Sequence, residues 1–146
     1  MTLTSDKIAD LRVKRLEMVQ LIIARLGNYG TSLKNYCITL TTGVCGFAIT
    51  SQKPAIILLS VISTSIFLLL DAQFLRVERR FRLLFEQMAL EKWDDVPNFS
   101  LDRSSISNPL YQKALISWSI MIFYIPILGI IVITFLISFV LYGHVM

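Results

Sequence analysis

Asp71 is the residue whose type and position could do the most chemistry in this chain. It follows seventeen residues, 54–70, that contain no Asp, Glu, Lys, Arg or His. A carboxylate at the end of such an apolar segment is costly unless it reaches water or pairs with a cation. Three roles are therefore open: Asp71 marks a membrane boundary, it pairs with Arg76, Lys34 or a base of a neighbouring subunit, or it faces a conducting path as a gating residue.

Four arginines follow Asp71 closely: Arg76, Arg79, Arg80 and Arg82. Basic side chains beside an apolar span attract anionic lipid headgroups by about 1 kcal/mol each, and they can equally contact a partner protein. Glu78 stands four residues before Arg82, a spacing that predicts an ion pair on one helix face. We predict lipid headgroup or partner contacts for the four arginines.

Residue types that carry catalysis or bind metals are scarce. The single histidine, His144, cannot complete a histidine-based catalytic set or metal site within one chain. The sequence has no Gly-rich phosphate loop and no Gly-x-Ser-x-Gly elbow. Cys37 and Cys45 lie eight residues apart on one predicted helix, too far apart to bridge, so we predict reduced packing residues. We expect no enzymatic activity, no catalytic residues, no metal and no cofactor.

The elements that position these residues are three long segments without charge. Of the 146 residues, 55% are hydrophobic and 16% are charged, whereas about 25% are charged in soluble domains. A bilayer core requires roughly 17 to 25 helical residues. We predict an all-α membrane protein with transmembrane helices at 35–52, 54–75 and 114–143, in which the first two form a tight hairpin and the third is long.

Polar segments flank these spans. Residues 1–34 have the apolar spacing of an amphipathic helix, and residues 76–113 continue the second span into the cytoplasm and then form an irregular connection from residue 93 onward. Gly27 and Gly30 lie on either side of a turn-forming Asn, so we expect the first helix to end or bend there.

Small residues are frequent in the first two spans: Thr39, Thr41, Thr42, Gly43, Cys45 and Gly46 in the first, and Ser60, Ser63, Thr64 and Ser65 in the second. Small side chains let helix backbones approach closely in lipid. We predict that these residues form the interface between the first two spans. The alternative is that their hydroxyls line an aqueous path.

The basic residues predict the orientation. With three spans, thirteen of the fourteen Lys and Arg residues fall on one side of the membrane, and Lys53 alone falls on the other. The positive-inside rule makes the first side cytoplasmic. We therefore predict a bacterial inner (plasma) membrane protein whose N-terminus is cytoplasmic and whose C-terminus is periplasmic.

Residues 70–85 read LDAQFLRVERRFRLLF. This stretch resembles a motif of small bacterial membrane proteins, in which Leu-Asp, two residues, an aromatic, Leu-Arg, one residue and Glu-Arg are followed by Phe-Arg and a Leu-aromatic pair. The chain is similar in outline to the SLATT-type transmembrane effectors that accompany bacterial immune genes, and it departs from the layout at Gly27 and Gly30, where helix formers are expected. The resemblance implies a pore-forming or membrane-perturbing effector.

Three functions compete on these observations. The first is an oligomeric inner-membrane effector in antiviral (antiphage) defence, opened by a cytosolic partner protein or signal. The second is an anchor or scaffold that docks a cytosolic enzyme without conduction. The third, a transporter subunit, requires more polar groups at mid-depth. We expect the lipid bilayer, further copies of the chain as a homo-oligomer and a cytosolic partner or signal as partners, and no nucleic acid.

Overall fold

The computed structural model describes residues 5–91 and 111–142, and within these two ranges it contains helices and no strand. Its helices are α1 (Ser5–Thr50), α2 (Ile57–Leu90), α3 (Tyr111–Leu115) and α4 (Trp118–Tyr142), and a 3-10 turn at Pro54–Ile56 precedes α2. The prediction of a helical chain is therefore confirmed. Of the irregular connection predicted at 93–113, residues 93–110 lie outside the described residues, as does His144, whereas residues 111–113 belong to α3, so the prediction is wrong there.

Two helical segments are long and apolar enough to cross a membrane, judged by length and composition: Pro54–Leu90 and Trp118–Leu141. They overlap the second and third predicted spans, 54–75 and 114–143. The first predicted span, 35–52, lies in the C-terminal part of α1 and the turn that follows it, and it is not one of these two segments.

Residues 51–53 and the 3-10 turn that follows them join α1 to α2 as an antiparallel hairpin. Gln52 adopts a left-handed φ of 55°, and the Lys53 N–H donates to the Ala48 carbonyl at 3.1 Å. Pro54 then occupies the start of the 3-10 turn, where a backbone N–H is not needed. The tight hairpin predicted from the short linker is present.

The helix α1 continues through Gly27 and Gly30, so the prediction that it ends there is wrong. Each glycine costs about 1 kcal/mol relative to alanine in a helix interior. Packing of the Val19 and Leu26 side chains in the core between α1 and α2 offsets this cost. Gly30 also has a steric reason, because a Cβ at this position would lie 3.3 Å from Oδ1 of Asp71. Glycine thus permits the close approach of α1 to α2.

Buried side chains form three clusters along the bundle. The first contains Val19, Phe81, Leu84 and Met88; the second contains Cys37, Ala72, Ile120 and Tyr124; the third contains Ala48, Ile57 and Ile131. The first cluster joins α1 to α2, whereas the other two also include α4. We call residues 5–30 and 74–90 the two-helix region, and residues 34–50, 57–72 and 118–142 the three-helix region.

The last long helix begins later than the sequence predicts. The segment predicted as one helix from residue 114 contains the end of α3, a break at Ile116 and Ser117, and then α4. The Ser117 carbonyl accepts hydrogen bonds from the N–H groups of Ile120 and Met121, each at 3.0 Å. This is the position of a helix N-cap, where serine is strongly preferred. From there α4 runs through Pro126 to Tyr142.

Candidate functional site

Asp71 lies at the junction between the two-helix and three-helix regions and is only 4% exposed. Its Oδ2 atom is 3.6 Å from Nζ of Lys34 on α1. The same Nζ donates a hydrogen bond of 3.2 Å to Oγ of Ser119 on α4. Of the three roles left open by the sequence, the structure thus shows pairing, and Lys34 is the partner. One lysine links α1 to both of the other long helices.

Tyr124 from α4 completes this buried cluster. It is 1% exposed, and its hydroxyl lies beside the Asp71 carboxylate. The two groups are close without reaching hydrogen-bond geometry, since neither the Tyr124 hydroxyl nor Oδ2 of Asp71 has a hydrogen-bond partner among the described residues. Buried polar atoms without partners are rare in proteins. The cluster therefore has unused hydrogen-bonding capacity that a small rearrangement or a water molecule can satisfy.

A polar cleft of about 200 Å³ leads from the surface to this cluster. Lys34, Asp71, Glu78 and Ser119 line it, and Gly27, Gly30 and Thr31 form part of its wall. Its volume accommodates several water molecules. The arrangement can hold a charged pair inside a helical bundle and give it limited access to water. Within residues 5–91 and 111–142, no group of three His, Cys, Asp or Glu side chains could hold a metal ion.

The arginines after Asp71 separate onto different faces of α2. Arg79 donates to Oγ of Ser117 at 2.8 Å and to the Lys113 carbonyl at 3.3 Å, so it fastens α2 to the connection between α3 and α4. Arg82 pairs with Glu78 through Nε at 3.0 Å, as the four-residue spacing predicts. Arg80 is half-buried, and Arg76 lines a separate apolar groove. Whether these side chains contact lipid or a partner stays a prediction.

The small residues of α1 divide between two faces, which the sequence analysis missed. Thr41 Oγ1 is 3.1 Å from Oγ1 of Thr64, and Cys45 Sγ is 3.6 Å from Oγ of Ser60, so these residues face α2 as predicted. Both cysteines are free, as predicted. Thr39, Thr42, Gly43, Gly46 and Thr50 instead lie exposed on the opposite side, which we call the outer face of α1. The 3.6-residue helical period applied to these positions is the signal that separates the two sets.

The hydroxyls on the outer face bond to their own helix. Thr39 donates to the Asn35 carbonyl at 2.9 Å, Thr42 to the Ile38 carbonyl at 2.6 Å and Thr50 to the Gly46 carbonyl at 2.9 Å. A Cβ added at Gly43 or Gly46 would meet nothing within 4 Å. This face is thus uncovered by the described part of the chain, and Thr39 and Gly43 line an apolar groove with Tyr36 and Phe47, which are 65% and 63% exposed. Comparison of the chain with protein families, curated proteins and solved structures finds no match.

Proposed function

We propose that this chain is an oligomeric effector of the bacterial inner membrane, which forms a pore or perturbs the bilayer when a cytosolic partner or signal acts on it. The proposed setting is antiphage defence, and it rests on the resemblance of residues 70–85 to membrane proteins of bacterial immune systems. The structural support comes from three features: the position of residues 37–48 of α1 beside the apolar segments of α2 and α4, the outer face of α1, and the continuity of the long helices.

The core contacts support a third span in α1. Ala48 packs with Ile57 and Ile131, and Cys37 packs with Ala72 and Ile120. Residues 37–48 therefore lie beside the parts of α2 and α4 that are apolar enough to cross a membrane. A bilayer that surrounds those two helices also surrounds this part of α1. The basic residues then favour a cytoplasmic two-helix region, with an amphipathic start of α1, and a periplasmic C-terminus.

The observation that carries the proposal is the contrast between α1 and α4 at the same depth. The candidate span in α4 has a mean hydropathy of 2.8 with 17% of its window buried, so nearly all of its surface suits lipid. The outer face of α1 carries threonines and glycines instead. In lipid such a face associates with another helix, because small residues allow close packing. A ring of copies with these faces turned inward would have a centre lined by hydroxyls.

The long helices also connect the two-helix region mechanically to the outer face of α1. Both α1 and α2 run unbroken from the two-helix region into the three-helix region. The Lys34–Asp71 pair links them where the regions meet, and Lys34 reaches α4 through Ser119. A partner that shifts one helix of the two-helix region therefore acts directly on the packing of the membrane segments.

Two glycines provide a matched test. Gly46 lies on the outer face of α1 and Gly129 on α4, and a Cβ at either meets nothing within 4 Å. Bacteria expressing the chain with its neighbouring genes are challenged with phage while a potential-sensitive dye reports the membrane potential. We expect depolarisation with the unmodified chain, its loss with Gly46→Leu because the bulky side chain blocks assembly, and its retention with Gly129→Leu.

Cross-linking gives a second readout of the same proposal. A Thr42→Cys variant in a background without Cys37 and Cys45 should form a disulfide-linked dimer on oxidation, and Gly46→Leu should prevent it. A steady membrane potential in cells that express the unmodified chain would contradict the pore proposal. Equal effects of Gly46→Leu and Gly129→Leu on depolarisation would also contradict it.

The second candidate function is an anchor for a cytosolic protein. Leu21 is 71% exposed on the two-helix region, and Met18 and Tyr29 are 37% and 48% exposed on nearby positions of α1. Exposed apolar side chains on a helix suit a partner helix or groove. If the membrane potential stays steady and a soluble protein binds the unmodified chain but not Leu21→Asp, the anchor reading replaces the effector reading.

A further inference from the structure

Two buried polar atoms beside the Lys34–Asp71 pair make no hydrogen bond. They are Oδ2 of Asp71 and the Tyr124 hydroxyl, which have no hydrogen-bond partner among the described residues although their residues are only 4% and 1% exposed. We propose that Asp71 is a proton-binding site, at which a proton that enters through the polar cleft neutralises the carboxylate, releases Lys34 and weakens the contact of α1 with α4. This goes beyond the proposed function, because it concerns contacts within one chain and holds whether or not the chain conducts.

The cleft gives the carboxylate access to water. It has a volume of about 200 Å³, and the polar side chains of Lys34, Asp71, Glu78 and Ser119 line it, so it accommodates several water molecules. A Cβ at Gly30 would lie 3.3 Å from Oδ1 of Asp71, and glycine therefore leaves this side of the carboxylate open. Water in the cleft can thus carry a proton to Asp71.

The protonation step needs no reactant other than water. A hydronium ion in the cleft transfers its proton to Oδ2 of Asp71 and becomes water, and the carboxylate becomes a neutral carboxylic acid. The new O–H group can donate to the oxygen of the Tyr124 hydroxyl, so a small rotation gives both unpartnered atoms a hydrogen bond. Burial disfavours a charged carboxylate much more than a neutral acid.

The charged and titratable groups that face Asp71 come from all three long helices. They are Lys34 and Cys37 on α1, Glu78 on α2 and Tyr124 on α4. The thiol and the phenol are uncharged at neutral pH. Lys34 opposes protonation, because its positive charge stabilises the carboxylate, whereas the negative charge of Glu78 favours protonation. A proton and one lysine therefore compete for the same carboxylate.

Lys34 transmits the change to α4. Its Nζ atom is 3.6 Å from Oδ2 of Asp71, donates a hydrogen bond of 3.2 Å to Oγ of Ser119, and lies 5.7 Å from the centre of the Phe123 ring. Without the carboxylate, a buried ammonium group is costly, and the flexible lysine side chain carries it to water. The lysine then leaves Ser119 and Phe123. Because α1 packs far more extensively on α2 than on α4, the hairpin stays intact while the contact with α4 weakens.

Cys37 reports this contact, because its side chain is fully buried in a cluster with Ile120 and Tyr124 of α4. The full chain with Cys45→Ala is reconstituted in lipid nanodiscs and treated with N-ethylmaleimide while the pH is lowered in steps. Each rate is divided by the rate for the chain unfolded in SDS at the same pH, which corrects for the thiolate fraction. We expect the corrected rate to rise about tenfold on acidification, the factor that corresponds to losing one hydrogen bond to a charged group.

Variants at the two carboxylates of the cleft separate this proton from a general effect of pH. Asp71→Asn imitates the neutral acid and should react at the high rate at every pH, whereas Asp71→Glu should keep the rise. The matched control is Glu78→Gln, which removes the other carboxylate. Its rise should remain and move to lower pH, because a negative charge that favours the proton is gone.

No rise in the chain that carries Cys45→Ala alone, the same rise with Asp71→Asn, or a rise abolished by Glu78→Gln would overturn the proposal. Infrared difference spectra of the unmodified chain provide a second measurement that needs no variant at Asp71. The band of a buried carboxylic acid should appear over the pH range in which Cys37 labelling rises, and its absence would also overturn the proposal. Because neither measurement involves conduction, a chain that shows the rise but never depolarises cells refutes the proposed function alone.

Discussion

An ion pair between α1 and α2 lies near each end of the two-helix region, and the two pairs differ in their surroundings. At the junction, the side chains of Lys34 and Asp71 are 24% and 6% exposed with their charged atoms 3.6 Å apart. At the far end, Glu91 lies 2.7 Å from Arg15 and 3.8 Å from Arg12; the Glu91 side chain is 43% exposed, whereas those of Arg15 and Arg12 are 8% and 6% exposed. Water solvates Glu91 with or without its arginine, but it reaches Asp71 only through the narrow cleft. The buried charge is thus the carboxylate at the junction and the arginine at the far end, so the cost of disruption depends on which partner is removed.

The largest effect expected from this difference is that of Lys34→Leu, which leaves the buried Asp71 carboxylate without its cation. Removing one partner of a buried pair costs about 3 to 5 kcal/mol of unfolding free energy. Asp71→Leu should cost less, because the flexible lysine reaches water more easily, and it should alter function without preventing insertion. The double variant should recover most of the loss. Unfolding in mixed detergents measures all three, and a double variant no more stable than Lys34→Leu would refute the pairing argument.

Glu91→Gln should have a smaller effect, about 1 kcal/mol, because the glutamine amide oxygen can still accept a hydrogen bond from the buried Arg15 guanidinium. The control is Glu86→Gln, which removes the same charge from an exposed position on the same helix. The same unfolding measurement compares the two. A loss for Glu91→Gln as large as that for Lys34→Leu would show that a hydrogen bond from Arg15 to the glutamine does not replace the ion pair.

The two glycines between these pairs should respond differently to alanine. Gly27→Ala should raise the unfolding free energy by about 0.5 to 1 kcal/mol, since alanine favours the helix and its Cβ meets nothing within 4 Å. Gly30→Ala should gain little or lose, because its Cβ would press on Oδ1 of Asp71 at 3.3 Å. Equal stabilisation by both variants would mean that α1 and α2 are not in tight contact at the junction.

The smallest effect belongs to Lys14 and Asp10, an exposed pair within α1 with 2.9 Å between Nζ and Oδ2. The hydrogen bond and charge of Asp10 raise the pKa of Lys14 above its ordinary 10.5. The stabilising contribution is therefore complete below pH 10.5 and is lost as the pH rises through the higher pKa of the folded state. Asp10→Asn should lower the Lys14 pKa in an NMR titration and leave the unfolding free energy at neutral pH unchanged within error.

Some features of the fold follow from local patterns in the sequence. The uncharged runs predict α2 and α4, because the composition and length of a long apolar run indicate a helix without any knowledge of what packs against it. The four-residue spacing of Glu78 and Arg82 predicts their ion pair for a similar reason, since both side chains lie on one helix. The resemblance to immune effectors and the count of three spans stay predictions.

Other features depended on packing between helices. Gly27 and Gly30 are local signals for ending a helix, but burial against α2 keeps α1 continuous. The small residues of α1 were all predicted to face α2, yet Gly46 and its neighbours on the outer face lie exposed. Composition identifies small residues as suited to close packing, whereas the direction of each side chain around the helix decides which partner it meets.

The sequence by itself determined a helical chain, two apolar segments that can cross a membrane, and the position of Asp71 directly after the uncharged run 54–70. The tertiary structure alone decided that Lys34 is the partner of Asp71, that Arg79 fastens α2 to the start of α4, and that Arg76 lines a groove. The physical reason is the separation along the sequence over which each interaction acts. Hydrophobic periodicity and helix spacing act between residues a few positions apart, whereas Lys34 and Asp71 are brought together only when α1 folds back on α2.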